Sequence, residues 1–141
     1  FAQILKADAI QPIEVYPKEE NKDPNAVWDM EKAVAERTGD HDVEVKMIAV
    51  RSRFVPDKVE ARVGDTLTVH LTNVEQTSDM IHGFAIGEHN LNVIMDPGET
   101  RTVQVKLTKP GVFPFYCTNF CSALHQEMQG YLSVKPAEQT Q

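Results

Sequence analysis

From residue 43 onward the apolar positions of this chain recur every second residue. Val43, Val45 and Met47 alternate with polar neighbours, as do Val59, Ala61 and Val63, then Leu67, Val69 and Leu71, then Val103, Val105 and Leu107. Successive side chains of an extended strand point to opposite faces, so each run predicts a strand with one buried face and one polar face. Gly64-Asp65, Asn73, Gly87, Pro97-Gly98 and Pro110-Gly111 supply the turns between them, at the spacing of a two-sheet β-sandwich.

Before residue 43 the period changes. Asp23 as a cap and Pro24 as a first helical residue precede Ala26, Val27, Met30, Ala33 and Val34 at helical spacing, with Gly39 as a stop, which predicts one short amphipathic helix. Upstream of it, Pro12, Pro17, Pro24 and the charged run Lys18 to Asp23 read as a linker or an arm packed on a neighbour. The expected division is an N-terminal arm with a short helix over 1–42, an all-β domain over 43–135 and a tail over 136–141.

With 141 residues, 41% of them apolar, the chain can bury one ordinary core and has no room for two sizeable domains. Its net charge of −7, from 21 acidic and 14 basic residues, disfavours binding to a phosphate backbone and favours a basic protein partner. No apolar stretch approaches the roughly 18 residues of a spanning helix, so no membrane segment is expected in this chain. It starts at Phe1 without a methionine or a charged-then-apolar leader, as a mature form or an excised fragment would.

The chemistry is concentrated near the C-terminus. Cys117 and Cys121, the only two cysteines, are followed by His125 and Met128. Thiolate and thioether sulfur select copper(I), zinc or iron-sulfur clusters; imidazole suits copper and zinc; and zinc rarely takes methionine, so the four together lean towards copper. Four residues of extended strand would part the two sulfurs by about 13 Å, so a loop or helical turn must carry them to one centre. Phe113, Pro114, Phe115 and Tyr116 look like a strand leading into that loop, with Pro110-Gly111 turning before it. A second donor stands 35 residues before Cys117, where His82 lies among apolar residues in Asp79-Met-Ile-His-Gly-Phe84 and needs a partner if it is buried.

Other readings stand beside copper. Two cysteines four residues apart can form a short-loop disulfide, and Cys117, Cys121, Leu124, His125 and Met128 also fit one stripe of an amphipathic helix. Two cysteines and two histidines could bind zinc, although structural zinc sites favour two separated, closely spaced pairs. A single blue copper would use one cysteine. His41, His70 and His89 lack neighbouring donors and are expected to face solvent.

The wording between the donors, Phe-Tyr-Cys-Thr-Asn-Phe-Cys-Ser-Ala-Leu-His-Gln-Glu-Met-Gln-Gly, resembles the dinuclear copper (CuA) domains of nitrous oxide reductase and of cytochrome c oxidase subunit II. The loop and Asp79 to Phe84 look more like the reductase, because the oxidase loop usually has an acidic residue between its cysteines. The resemblance implies a cupredoxin-like Greek-key β-sandwich, and Arg53 to Asp65 is typical of such folds. Carried over residue by residue, it implies that Cys117 and Cys121 bridge two copper ions, one also held by His82 and Met128, the other by His125 and the backbone carbonyl of Asn119. Many relatives carry tryptophan where Asn119 stands and histidine where Ser122 stands, a departure that bears on an indole electron route but not on carbonyl ligation.

The same resemblance implies an electron relay rather than a catalyst. It would be periplasmic, accepting electrons from a cytochrome c or similar small redox protein. It would pass them to the copper cluster that reduces nitrous oxide, which in a homodimer would belong to the partner subunit. Relatives bind that cluster with seven histidines in an upstream propeller, and this chain holds five histidines in all. Phe84, Phe115, Tyr116 and Phe120 are expected to form an apolar shell around the centre, with Asp79 accepting a hydrogen bond from a ligand. A soluble fragment of oxidase subunit II and a copper storage or chaperone module are the alternative functions.

Overall fold

In the computed structural model, residues 21–50, 53–75, 80–118 and 128–137 are described. Ten strands are found among them: β1 Ala35–Gly39, β2 Asp42–Val50, β3 Arg53–Val55, β4 Lys58–Arg62, β5 Thr66–Asn73, β6 His82–Ile86, β7 Leu91–Met95, β8 Thr100–Lys106, β9 Gly111–Tyr116 and β10 Gln129–Lys135. One sheet runs in the order β4-β10-β9-β6-β7; the other runs β1-β2-β5-β8, with β3 paired to β2. Most neighbours are antiparallel, but β2 lies parallel to β5 and β4 parallel to β10, so in each sheet sequence-distant strands meet by a crossover.

The period-two runs form these strands because each turns its apolar positions into the gap between the sheets. On β2, Val43, Val45, Met47 and Ala49 are buried while Asp42 is exposed and Glu44 and Lys46 are half-buried. Facing them from the other sheet are Val59, Phe84, Phe113, Phe115, Leu132 and Val134. Each such side chain removed from water contributes about 1.5–3 kcal/mol, enough in sum to hold two sheets face to face. At the centre the rings of Phe54, Phe84 and Phe115 meet with centroids 5.4 to 5.8 Å apart.

The region before residue 43 differs from the helix its spacing predicts. The only helical turn described there is a 3-10 turn, Met30–Lys32, and Ala35–Gly39 is a strand on the edge of β2. Local hydrogen bonds explain the difference. Asp23 Oδ1 accepts from the Asn25 amide and the Val27 amide donates to Thr72 Oγ1, so those amides are engaged in a turn and a tertiary contact instead of a helical ladder. Val27 and Ala33 pack on Ile48, while Met30 and Val34 stay exposed. The segment is a strap across the outer face of the β1-β2-β5-β8 sheet, and its apolar residues do not share one face.

His70 also differs from expectation. It sits on the outward side of β5, yet it is buried, with Nδ1 2.8 Å from Thr102 Oγ1 and Nε2 2.8 Å from Glu44 Oε2. Both ring nitrogens are satisfied by neighbouring strands, which makes it a structural residue. His41 is exposed as expected, and His89 is partly covered by the Phe113 ring, with centroids 4.6 Å apart.

Candidate metal centre

Three of the predicted ligands fall within the described residues, and strand direction collects them. β6 begins at His82, β9 ends at Tyr116 immediately before Cys117, and β10 begins at Gln129 immediately after Met128. Because β9 is antiparallel to both β6 and β10, these three termini lie at one end of one sheet. Beyond the last register pair, Tyr116 with Gln129, the Cys117 amide donates to the Met128 carbonyl at 3.1 Å and clamps the two ends of the intervening loop together. Tyr116 pairs with Ala85, so His82 stands three residues, about 10 Å, further along β6 in the direction the chain takes after Cys117.

All three are removed from water: Cys117 is 3% exposed, and His82 and Met128 are 0%. His82 Nε2 lies 3.0 Å from Glu75 Oε2, itself only 14% exposed. Its other nitrogen, Nδ1, is buried and has no hydrogen-bond partner among the described residues. A buried imidazole nitrogen without a partner costs free energy, and a metal ion is one group that satisfies a lone pair there. With Glu75 accepting the Nε2 proton, Nδ1 is the nitrogen left with a lone pair, the arrangement in which a carboxylate sets the tautomer of a metal-binding histidine.

Asn73, at the end of β5, organises this region. Its buried side-chain amide donates to the carbonyls of Met80 and Met95, each at 3.0 Å, and its Oδ1 accepts from the Glu75 amide at 3.0 Å. One side chain thus ties the end of β5 to the start of β6 and the end of β7, and holds Glu75 near His82. Sequence reading placed a turn at Asn73 but not this role, and it did not single out Glu75.

Asn119, Cys121 and His125 lie outside the described residues, as do Asp79 and Phe120. Among the described residues no group of three His, Cys, Asp or Glu side chains converges as a metal site. Cys117 is disulfide-bonded, the oxidised state of a sulfur that would have to be a thiolate to bind metal. Of the expected apolar shell, Phe84 and Phe115 are buried at 1%, whereas Tyr116 is 39% exposed because alternation along β9 turns it outward. Phe54, on the other sheet, completes the apolar packing instead. A cavity of about 630 Å³ beneath the 26–34 strap, bounded by Trp28, Lys32, Glu44 and Lys46 among others, contains none of the predicted ligands.

A two-sheet sandwich that presents buried histidine, cysteine and methionine at one end of a sheet is the architecture of a copper-carrying β-domain. The chain belongs to the cupredoxin-like domain family, whose profile matches residues 25–134. It is homologous to two groups of redox proteins. It is 37% identical over 132 residues to the nitrous-oxide reductase of Cupriavidus necator, covering 94% of this chain and 20% of that one. It is 30% identical over 123 residues to cytochrome c oxidase subunit 2 of Thermus thermophilus, covering 84% of this chain and 88% of that one. Among solved structures, a chain of a heme-copper terminal oxidase dimer superposes with a TM-score of 0.63 at 28% identity, covering 78% of this chain and 77% of that one. Auracyanin B, at 14% identity, shares the fold alone, with a TM-score of 0.56 over 74% of this chain and 96% of that one. The chain thus spans about a fifth of the length of the nitrous-oxide reductases it matches.

Proposed function

We propose that this chain is an electron-transfer domain carrying a dinuclear copper centre of the CuA type. It would be held by the thiolates of Cys117 and Cys121, by His82 through Nδ1, by His125 and Met128, and by the backbone carbonyl of Asn119. The observation that carries the reading is the His82 imidazole: one nitrogen is held by Glu75 and the other is buried with no partner among the described residues, at the sheet end shared with Cys117 and Met128. Two coupled coppers would supply reversible one-electron chemistry. The protein's own part is to keep the donors still and dry. Sandwich strands pin His82, Cys117 and Met128 at fixed spacing, and Phe84, Phe115 and Phe54 exclude water beneath them.

In this reading the domain occupies an extracytoplasmic space, specifically the periplasm. It takes electrons from a cytochrome c or similar small donor and delivers them to the copper cluster of a full nitrous oxide reductase, in the partner subunit of a homodimer. The homology to nitrous-oxide reductase over 94% of the chain supports that assignment. The match to oxidase subunit 2, which the chain covers to 88%, favours a second reading in which the same centre feeds a heme-copper oxidase. Among the described residues no helix is long and apolar enough to cross a membrane.

Stopped-flow mixing of the copper-loaded domain with reduced cytochrome c tests the relay. Reversible oxidation of the cytochrome, slowing as salt is raised because an acidic domain attracts a basic donor, is the expected result. Failure to cycle, together with surrender of copper(I) to a competing thiol, would identify a storage or chaperone module.

A further inference from the structure

The chain leaving Cys117 is held at one more point. Thr118 Oγ1 donates to Asn92 Oδ1 at 3.2 Å, across 26 residues of sequence. Asn92 lies on β7, the outermost strand of that sheet, and is paired with Ala85 of β6, which is paired in turn with Tyr116 of β9. To reach it, Thr118 must cross β6. The crossing is open because the outward positions of β6 there are Gly83 and Ala85, which present a hydrogen and a methyl group. Leu91 and Val93 turn their side chains towards the core, so Asn92 points outward, where it meets Thr118.

We infer that Thr118 and Asn92 form a latch that restrains Cys117, fixing the backbone as it leaves that residue and so setting how its sulfur addresses the centre. Cys117 is already clamped on its other side by its amide bond to Met128. With the latch, the residue after it is fixed as well. A single hydrogen bond at a partly exposed position contributes little to global stability, so its role is local. The inference rests on the CuA reading for its effect on copper, but the restraint on Cys117 belongs to the protein alone. Neither residue touches metal; both are positioning residues.

The test compares Thr118→Val, Thr118→Ser and Asn92→Ala with the unaltered chain by two readouts. In the reduced protein without added metal, alkylation of Cys117 by N-ethylmaleimide, followed by peptide mass spectrometry, is expected to be about fivefold faster in Thr118→Val and Asn92→Ala, as loss of one restraining hydrogen bond implies. Thr118→Ser, which keeps the hydroxyl, should alkylate at the original rate. After copper loading, the first two variants should keep their copper content but show shifted visible bands and a shifted midpoint potential. The double variant should shift no further than either single one, because both remove the same contact. Unchanged alkylation and spectra in Thr118→Val, or additive effects in the double variant, would overturn the latch. Absence of a two-copper centre in the unaltered chain would instead defeat the CuA reading, leaving the alkylation result to decide the latch.

Discussion

Glu75 Oε2 lies 3.0 Å from His82 Nε2, while His82 Nδ1 is buried with no hydrogen-bond partner among the described residues, at the sheet end it shares with Cys117 and Met128. The carboxylate does more than fill a hydrogen-bond site. In the proposed centre it would select which nitrogen binds metal, and it restrains rotation of the ring. Glu75 is in turn held through its amide by Asn73, so the orientation of the imidazole traces back to the end of β5.

Glu75→Ala should therefore weaken copper binding by about 10- to 100-fold, the usual cost of losing a carboxylate behind a metal-bound histidine. Glu75→Gln should lose less, since its amide oxygen can still accept from Nε2. Competition with a copper(I) chelator of known affinity measures both. Equal affinity in Glu75→Ala and the unaltered chain would show that the contact does not orient the ligand.

Cys117→Ser should abolish the dinuclear chromophore, because the hydroxyl cannot bridge two soft ions. Met128→Leu should retain two coppers and shift the midpoint potential, since a thioether is a weak ligand beside thiolates. Metal analysis and visible spectra distinguish the two outcomes. Two retained, coupled coppers in the serine variant would sink the bridging role.

At the opposite end of the sandwich, buried Asp65 receives both arms of the Arg37 guanidinium, at 3.0 and 2.7 Å, and the Arg62 amide at 2.8 Å. The Arg37 hydrogen bonds, joined by the Arg62 amide, hold its carboxyl below the usual carboxylate range despite the opposing effect of burial. A folded-state pKa lowered in this way stabilises the fold above the unfolded value of about 4, and that stability is lost as pH falls through the folded value. Asp65→Asn should cost about 2–3 kcal/mol at pH 7, and the gap to the unaltered chain should close below about pH 4. Urea unfolding at several pH values checks this. The copper spectrum should be unchanged, since Asp65 lies at the end of β5 away from Asn73.

Gly130, two residues after Met128, leaves room that no other residue can leave. A Cβ there would stand 2.4 Å from the Asp57 carbonyl oxygen and 2.5 Å from the Phe115 ring. Gly130→Ala must displace backbone or the central aromatic packing, and should cost at least the roughly 1–3 kcal/mol of overpacking. A melting temperature within about 2 °C of the original would contradict the packing described.

Period-two alternation made the central strands legible, because one buried and one polar face leaves that pattern directly in the residues. The strand before Cys117 was legible for the same reason, yet alternation also turns Tyr116 outward, where soft-ligand proximity had suggested a buried shell. The helix predicted at 24–39 shows the opposite failure. Apolar spacing of three and four residues is satisfied equally by a strap whose valine and alanine dip separately into a small cluster around Ile48. The parallel pairing of β2 with β5 and of β4 with β10 leaves no local mark, being decided by packing between distant segments. Glu75 and Asn73 were hidden because their relation to His82 depends on the strand ends converging. His70 was misjudged because its two partners come from different strands.

The central claim is a two-copper centre, and the direct measurement is electron paramagnetic resonance on the chain loaded with copper after reduction. After reduction, the account predicts two coppers per chain and hyperfine structure from two equivalent nuclei sharing one unpaired electron. A single-copper spectrum, or preferred uptake of zinc, would contradict it.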